Sequence, residues 1–191
     1  LSNDAGMSVS ITNYRGIITA INVPNNNQGQ TNVVLGHDNL AEYQADNDTM
    51  FGAIVGRYAN RIKGAAFTLD GQDYHLMKND GDNCLHGGMT GMNQATWKAK
   101  ALSTADQQVL TLQYTSPAGE QGFPGNLAMT VTYALDNHNN QLSIKYAATA
   151  DKATDVNLTN HSYFNLDGRY SGNVLEQYIK INADNFLEVD K

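Results

Sequence analysis

The chain has 191 residues, enough for one domain with a substantial core, and all-β domains of this length often stay undivided. Only 16% of the residues are charged against 41% hydrophobic, so much of the surface has to be neutral and polar, carried by Asn, Gln, Thr and Gly. A net charge of −7 and an isoelectric point near 5.0 argue against nucleic acid, which calls for a basic patch, and suit a neutral polyol such as a sugar.

In chain order, "MSVSI" puts Met7, Val9 and Ile11 on one face of a strand. "NNNQGQ" reads as a loop, "NLAEYQADN" as a turn or two of helix, and "VGRYANRI" as a short helix or a strand end. "FTLDGQDYHLM" is two short strands around an Asp70-Gly71 hairpin signal. "LTLQY" follows, and then "MTVTYALDNHNNQLSIKYAA". The latter places Met129, Val131, Tyr133 and Leu135 on one face, turns at 137–140 and returns with Leu142, Ile144 and Tyr146. "YIKINA" closes the series as a strand with Ile179 and Ile181. The expectation is an all-β protein, a large antiparallel β-sandwich forming one domain over 1–191. Leu1 starts almost on a strand and Lys191 stops just after one, so the sandwich is expected to be incomplete, above all at the C-terminus.

Cys84 is the single cysteine, which excludes an internal disulfide framework and a CxxC zinc site. No apolar run approaches membrane-helix length, and no basic segment with an apolar block behind it opens the chain. A cytoplasmic location is the default, with a periplasmic or secreted one if a leader was removed ahead of Leu1. Sequons occur at Asn47, Asn157 and Asn160. The five histidines are scattered, with no HxH or HxxxH spacing, and no GxGxxG or GxxxxGK phosphate cradle occurs. His75 and His138 fall in exposed positions, and Trp97 reads as core or strand edge.

Three stretches carry candidate chemistry. "GRYANRIKG" holds Arg57, Asn60 and Arg61; "NDGDNCLHGG" sets His86 before two glycines, where backbone can approach a ligand. "DVNLTNHSYFNLDG" surrounds His161 with Asn157, Thr159, Asn160 and Ser162 in a segment with strand-like aromatic and β-branched content. Each has a plain structural reading: an ion-pair arginine, a turn histidine, and a strand end whose polar groups tie down the backbone. The alternative for the third is that its polar groups hold His161 towards a polar ligand.

In order and spacing, "FGAIVGRYANRIKGAAFTLDGQDYHLMKNDGDNCLHGG", "GFPGNL", "VNLTNHSYFNL" and "INADNF" together resemble the galactose mutarotase (aldose 1-epimerase) family over essentially the whole chain. The resemblance implies a large antiparallel sandwich with an open cleft. It also implies interconversion of the α and β anomers of a free aldohexose, such as galactose or glucose, without metal or cofactor, nucleic acid or membrane. A base takes the C1 hydroxyl proton, an acid protonates the ring oxygen, the ring opens, and reclosure gives the other anomer. His161 matches the family's acid and His86 its second, sugar-binding histidine. Asn60 and Arg61 match residues that grip hydroxyls. Asn and Thr beside His161 are expected to orient the imidazole, with Tyr163 and Phe164 packing the strand. The family's glutamate base has no counterpart, since none of Asp167, Glu176, Asp184, Glu188 or Asp190 stands in a matching motif. The chain is therefore expected to be inactive by itself. The rival reading is a non-catalytic sugar-binding sandwich that keeps the cleft; an epimerase of phosphorylated hexoses would need more cations than these stretches carry.

Overall fold

A computed structural model describes residues 1–46 and 48–188. The strands are β1 (Ser8–Ile11), β2 (Ile18–Pro24), β3 (Gln30–Asn32), β4 (Ile54–Val55), β5 (Arg61–Ile62), β6 (Ala66–Leu69), β7 (Gln72–His75), β8 (Cys84–Leu85), β9 (Lys98–Ser103), β10 (Gln107–Ser116), β11 (Leu127–Asp136), β12 (Leu142–Ala150) and β13 (Thr159–Asn160). One short helix, α1 (Leu40–Ala45), follows β3; Asn39 caps it by accepting from the Glu42 N–H at 3.1 Å. Sheet β1-β2-β3 faces sheet β12-β11-β10-β9, and three two-stranded ladders, β4/β13, β5/β8 and β6/β7, are attached around them; every pair is antiparallel.

Alternation decides the sandwich. In β11, Met129, Val131, Tyr133 and Leu135 are almost completely buried while the residues between them face outwards. They meet Val9, Ile18, Ile21, Leu112 and Trp97 in one core. Tyr133 crosses that core and satisfies its hydroxyl on the Gly16 carbonyl at 2.9 Å. The Asp70-Gly71 hairpin forms as its residues dictate, with both in the left-handed region at φ 52° and 77°. Trp97 is core, and His75 and His138 are exposed.

"YIKINA" is not a strand. Tyr178, Ile179 and Ile181 stand 101%, 85% and 69% exposed, and no described strand pairs with them. Period-two patterning marks which face of a strand would be buried, but a lone segment has no ladder to satisfy its N–H and C=O groups. The polar 155–168 stretch is likewise mostly irregular, with only Thr159–Asn160 in a ladder.

"VGRYANRI" resolves into two short strands joined at a buried arginine. Arg57 is 2% exposed, and every donor on its guanidinium is used. Nε donates to Ser116 Oγ (2.9 Å), Nη1 to the Pro124 carbonyl (2.7 Å) and Thr154 Oγ1 (3.2 Å), and Nη2 to the carbonyls of Ser116 (3.1 Å), Pro117 (2.9 Å) and Gly125 (2.9 Å). Glu120 supplies the opposing charge by accepting from Ser116 Oγ, and its second oxygen accepts from the Tyr114 hydroxyl at 2.7 Å. Arg57→Met should destabilise the protein by at least about 3 kcal/mol in urea unfolding, because it strands a set of buried carbonyls and an uncompensated carboxylate. Arg57→Lys should fall between the two, since a lysine keeps the charge but cannot reproduce the fork.

Candidate functional site

Segment 54–62 is a spine with a ladder on each half, and each ladder delivers one histidine. On the first half Ile54 pairs with Asn160 and Val55 with Thr159. The His161 N–H then donates to the Ala53 carbonyl at 2.9 Å, and the Gly52 N–H to the His161 carbonyl at 3.1 Å. Across the Arg57 position, the Asn157 N–H donates to the Arg57 carbonyl (2.7 Å) and the Ala59 N–H to the Asn157 carbonyl (2.8 Å). On the second half Arg61 pairs with Leu85 and Ile62 with Cys84, which sets Asn60 beside His86. Asn60 and His86 then exchange two bonds: the His86 N–H donates to the Asn60 carbonyl, and the Asn60 N–H donates to His86 Nδ1, both at 3.0 Å. Both residues are left-handed, at φ 69° and 56°, a conformation Asn tolerates well.

The result is an open cleft of about 530 Å³ lined by Asn60, His86, Asn157, Asn160, His161 and Tyr163, with Leu158 and Ser162 among its further walls. The His86 and His161 rings meet edge to face, 5.0 Å between centroids and 85° between planes. Arg61 stands at the rim rather than in the wall: its Nε pairs with Asp80 Oδ2 at 2.6 Å, and its Nη1 donates to Asn60 Oδ1 at 3.4 Å. Arg57 is structural and lies outside the cleft lining.

Burial pushes the His86 imidazole below the ordinary histidine range, His161 and Arg61 push it further, and Asp80 opposes them. Because Nδ1 accepts from Asn60, the neutral ring carries its proton on Nε2, an assignment made from the hydrogen bond.

Several expectations change here. The two glycines after His86 meet the protein's own packing. A Cβ on Gly87 would lie 2.1 Å from the Gly56 carbonyl oxygen, and one on Gly88 would lie 2.4 Å from Gln121 Oε1. The polar neighbours of His161 tie down backbone rather than hold the imidazole: Asn160 donates to the Gly52 carbonyl (2.8 Å) and accepts from the Ser162 N–H (3.1 Å), and Asn157 donates to the Ala59 carbonyl (3.2 Å). The amides of these two sequon residues are therefore engaged; Asn47, like Asp190, lies outside the described residues. Phe164 is 55% exposed and joins the fold through a backbone bridge to Val34, and Tyr163 is 45% exposed on the cleft.

Sequence reasoning missed two residues. Tyr163 lines the cleft, and its spacing of two from His161 on an extended segment would have placed both on one side. Gln121 locks the loop after His86, its Oε1 accepting from the Met89 N–H at 2.9 Å and its Nε2 donating to Thr90 Oγ1 at 2.8 Å. Nothing in the sequence marks that lock. Among the described residues no group of His, Cys, Asp and Glu is arranged to hold a metal, and no helix is long and apolar enough to cross a membrane.

An all-β sandwich with two histidines facing one neutral, polar cleft defines a class, and comparison with known proteins narrows it. The family model described as aldose 1-epimerase matches residues 1–191. Galactose mutarotase from Sus scrofa is 43% identical over 185 residues, covering 97% of this chain and 52% of the relative. Aldose 1-epimerase from Escherichia coli is 40% identical over 191 residues, covering 100% and 54%. The crystal structure of an aldose epimerase homologue from C. elegans superposes with a TM-score of 0.80 at 31% identity, over 88% of this chain and 50% of that one. The galactose 1-epimerase structure from Lactobacillus acidophilus gives 0.77 at 32%, over 87% and 48%. The chain belongs to the aldose 1-epimerase family, and it spans about half the length of the curated relatives it matches.

The depressed His86 pKa sets a sign for pH dependence. The unfolded imidazole takes its proton near about 6.5 and the folded one at lower pH, so in between the unfolded state binds more protons. The neutral His86 contributes fully above about pH 6.5, and that contribution is lost as pH falls through the folded value. Histidine proton shifts in an NMR titration should put the His86 midpoint below about 6.5, and urea unfolding should show His86→Asn less acid-sensitive than the parent.

Proposed function

We propose that the cleft binds a free aldohexose and serves anomer interconversion, with His161 the acid for the ring oxygen and His86 a neutral donor through Nε2. The observation that carries this reading is the pair of imidazoles, 5.0 Å apart and edge to face, on an uncharged cleft wall that carries several amides and hydroxyls beside Ala59 and Leu158. A polyol offers hydroxyls to such a wall at no charge cost. A histidine with a reference pKa of about 6.5 can donate and recover a proton near neutrality. Asn60 in the wall and Arg61 at the rim are read as hydroxyl-binding residues, with Asp80 holding the guanidinium. Residues 1–191 are read as part of a single epimerase domain.

No carboxylate lines the cleft among the described residues. That observation favours one alternative, a sugar-binding module with no base of its own, and it supports the proposal that this 191-residue chain is a poor catalyst by itself. A missing base commonly costs 10²–10⁴-fold, on the scale of about 3–5 kcal/mol of barrier.

Two measurements test this. Titrating D-galactose into the protein should shift the His86 and His161 imidazole resonances to saturation, and Arg61→Ala should weaken the binding. Polarimetry of α-D-galactose should show mutarotation close to the uncatalysed rate. Absence of any histidine response at saturating sugar would remove the sugar reading; enzymatic rates would show that a carboxylate within these residues serves as base.

A further inference from the structure

The His161 backbone is paired on both sides, yet among the described residues neither ring nitrogen has a hydrogen-bond partner. An imidazole on a fixed backbone still has two side-chain torsions to sample, and the second is broad. Something other than hydrogen bonding has to restrict them. Two rings touch it: His86 edge to face, and Tyr163, 5.2 Å away at 47°. Tyr163 in turn meets Phe51 at 5.3 Å and 88°, and Phe51 packs on the cluster of Ile17, Tyr43 and Ala53. The Leu35 N–H fixes the Tyr163 backbone by donating to its carbonyl at 2.9 Å. A chain of rings thus runs from the core, through Phe51 and Tyr163, to the imidazole in the cleft.

Resting on the sugar-cleft reading above, we propose that Tyr163 is the positioning residue of His161: its ring, backed by Phe51, holds the imidazole edge-on to His86 and forms the cleft wall beside it. The role belongs to the aromatic face, because the Tyr163 hydroxyl has no hydrogen-bond partner among the described residues. An aromatic contact of this type favours particular ring orientations beyond simple burial, which selects one orientation of the imidazole over the others. It also leaves both His161 nitrogens open, which hydrogen-bonded orientation would not.

The test compares Tyr163→Phe and Tyr163→Leu by NMR, first without sugar. In Y163L the ring-current shifts of the His161 ring protons should collapse towards random-coil positions and the side chain should gain motion. In Y163F both should match the parent, and the exposed His138 should not respond in either variant. Because Tyr163 is 45% exposed, the thermal midpoint of Y163L should stay within a few degrees of the parent, on the scale of about 1 kcal/mol or less. With galactose, Y163L should bind roughly three- to tenfold more weakly, as expected for a lost aromatic contact, and its His161 response should shrink more than that of His86. Unchanged His161 signals in sugar-free Y163L would overturn the proposal, and so would Y163F behaving like Y163L. If the parent itself binds no sugar, the functional reading falls, while the sugar-free spectra still decide the positioning role.

Discussion

The burial of one guanidinium organises the rest. A charged group costs several kcal/mol to remove from water unless its donors are paired, and Arg57 pairs them mainly on backbone carbonyls from the β10–β11 connection. Those carbonyls lie at the end of β10 and in the loop that follows it, where the Pro117 carbonyl also accepts from the Glu120 N–H at 3.1 Å, so arginine and loop support each other. Ser116, Glu120 and Tyr114 close the circuit and neutralise the charge. The 54–62 spine is thereby held at its midpoint against the sheet.

From that point the site follows by register. Both ladders on the spine are only two residues long, too short to be stable alone, and each sits one step from a histidine. A slip of one residue in either would turn its histidine to the other face. Gly87 resists such a slip, since its α-carbon lies against the Gly56–Arg57 peptide where no side chain fits. Gln121 adds a second restraint from the same loop that feeds Arg57 its carbonyls. Stability and site geometry therefore share one spine, with Arg57 at its midpoint and a histidine ladder on each half.

What could be read in advance depended on whether the signal was local. The β11–β12 pattern and the Asp70-Gly71 turn follow from side-chain period and backbone preference, and both formed as read. The two histidines with Asn60 and Arg61 were picked out through family motifs, and the geometry puts three of them on one cleft with Arg61 at its rim. "YIKINA" misled because a strand is a property of two segments, and its pattern states only what it would bury. The glycines after His86 made a close approach legible, but not that the Gly56–Arg57 peptide packs against Gly87. Arg57 was indistinguishable from Arg61 by residue type, and only the carbonyls of a loop some sixty residues away separate a structural arginine from a surface one.

The same distinction bears on the chemistry of the cleft. An acid in proton transfer works best when its orientation is fixed and its nitrogens are free, and these demands conflict if hydrogen bonds do the fixing. The asparagines around His161 resolve the conflict by spending their amides on the backbone of Gly52 and Ala59, which fixes where the imidazole is rooted. Ring contacts from Tyr163 and His86 then restrict where it points. His86 is built the other way: Asn60 consumes Nδ1 and burial lowers the pKa of the ring, so the neutral form presents a single, directed N–H at Nε2. On the proposed reading the two histidines of the cleft have different duties, His161 as the acid and His86 as a hydrogen-bond donor through Nε2. That asymmetry follows from the packing of each ring, and the ligand has no part in creating it.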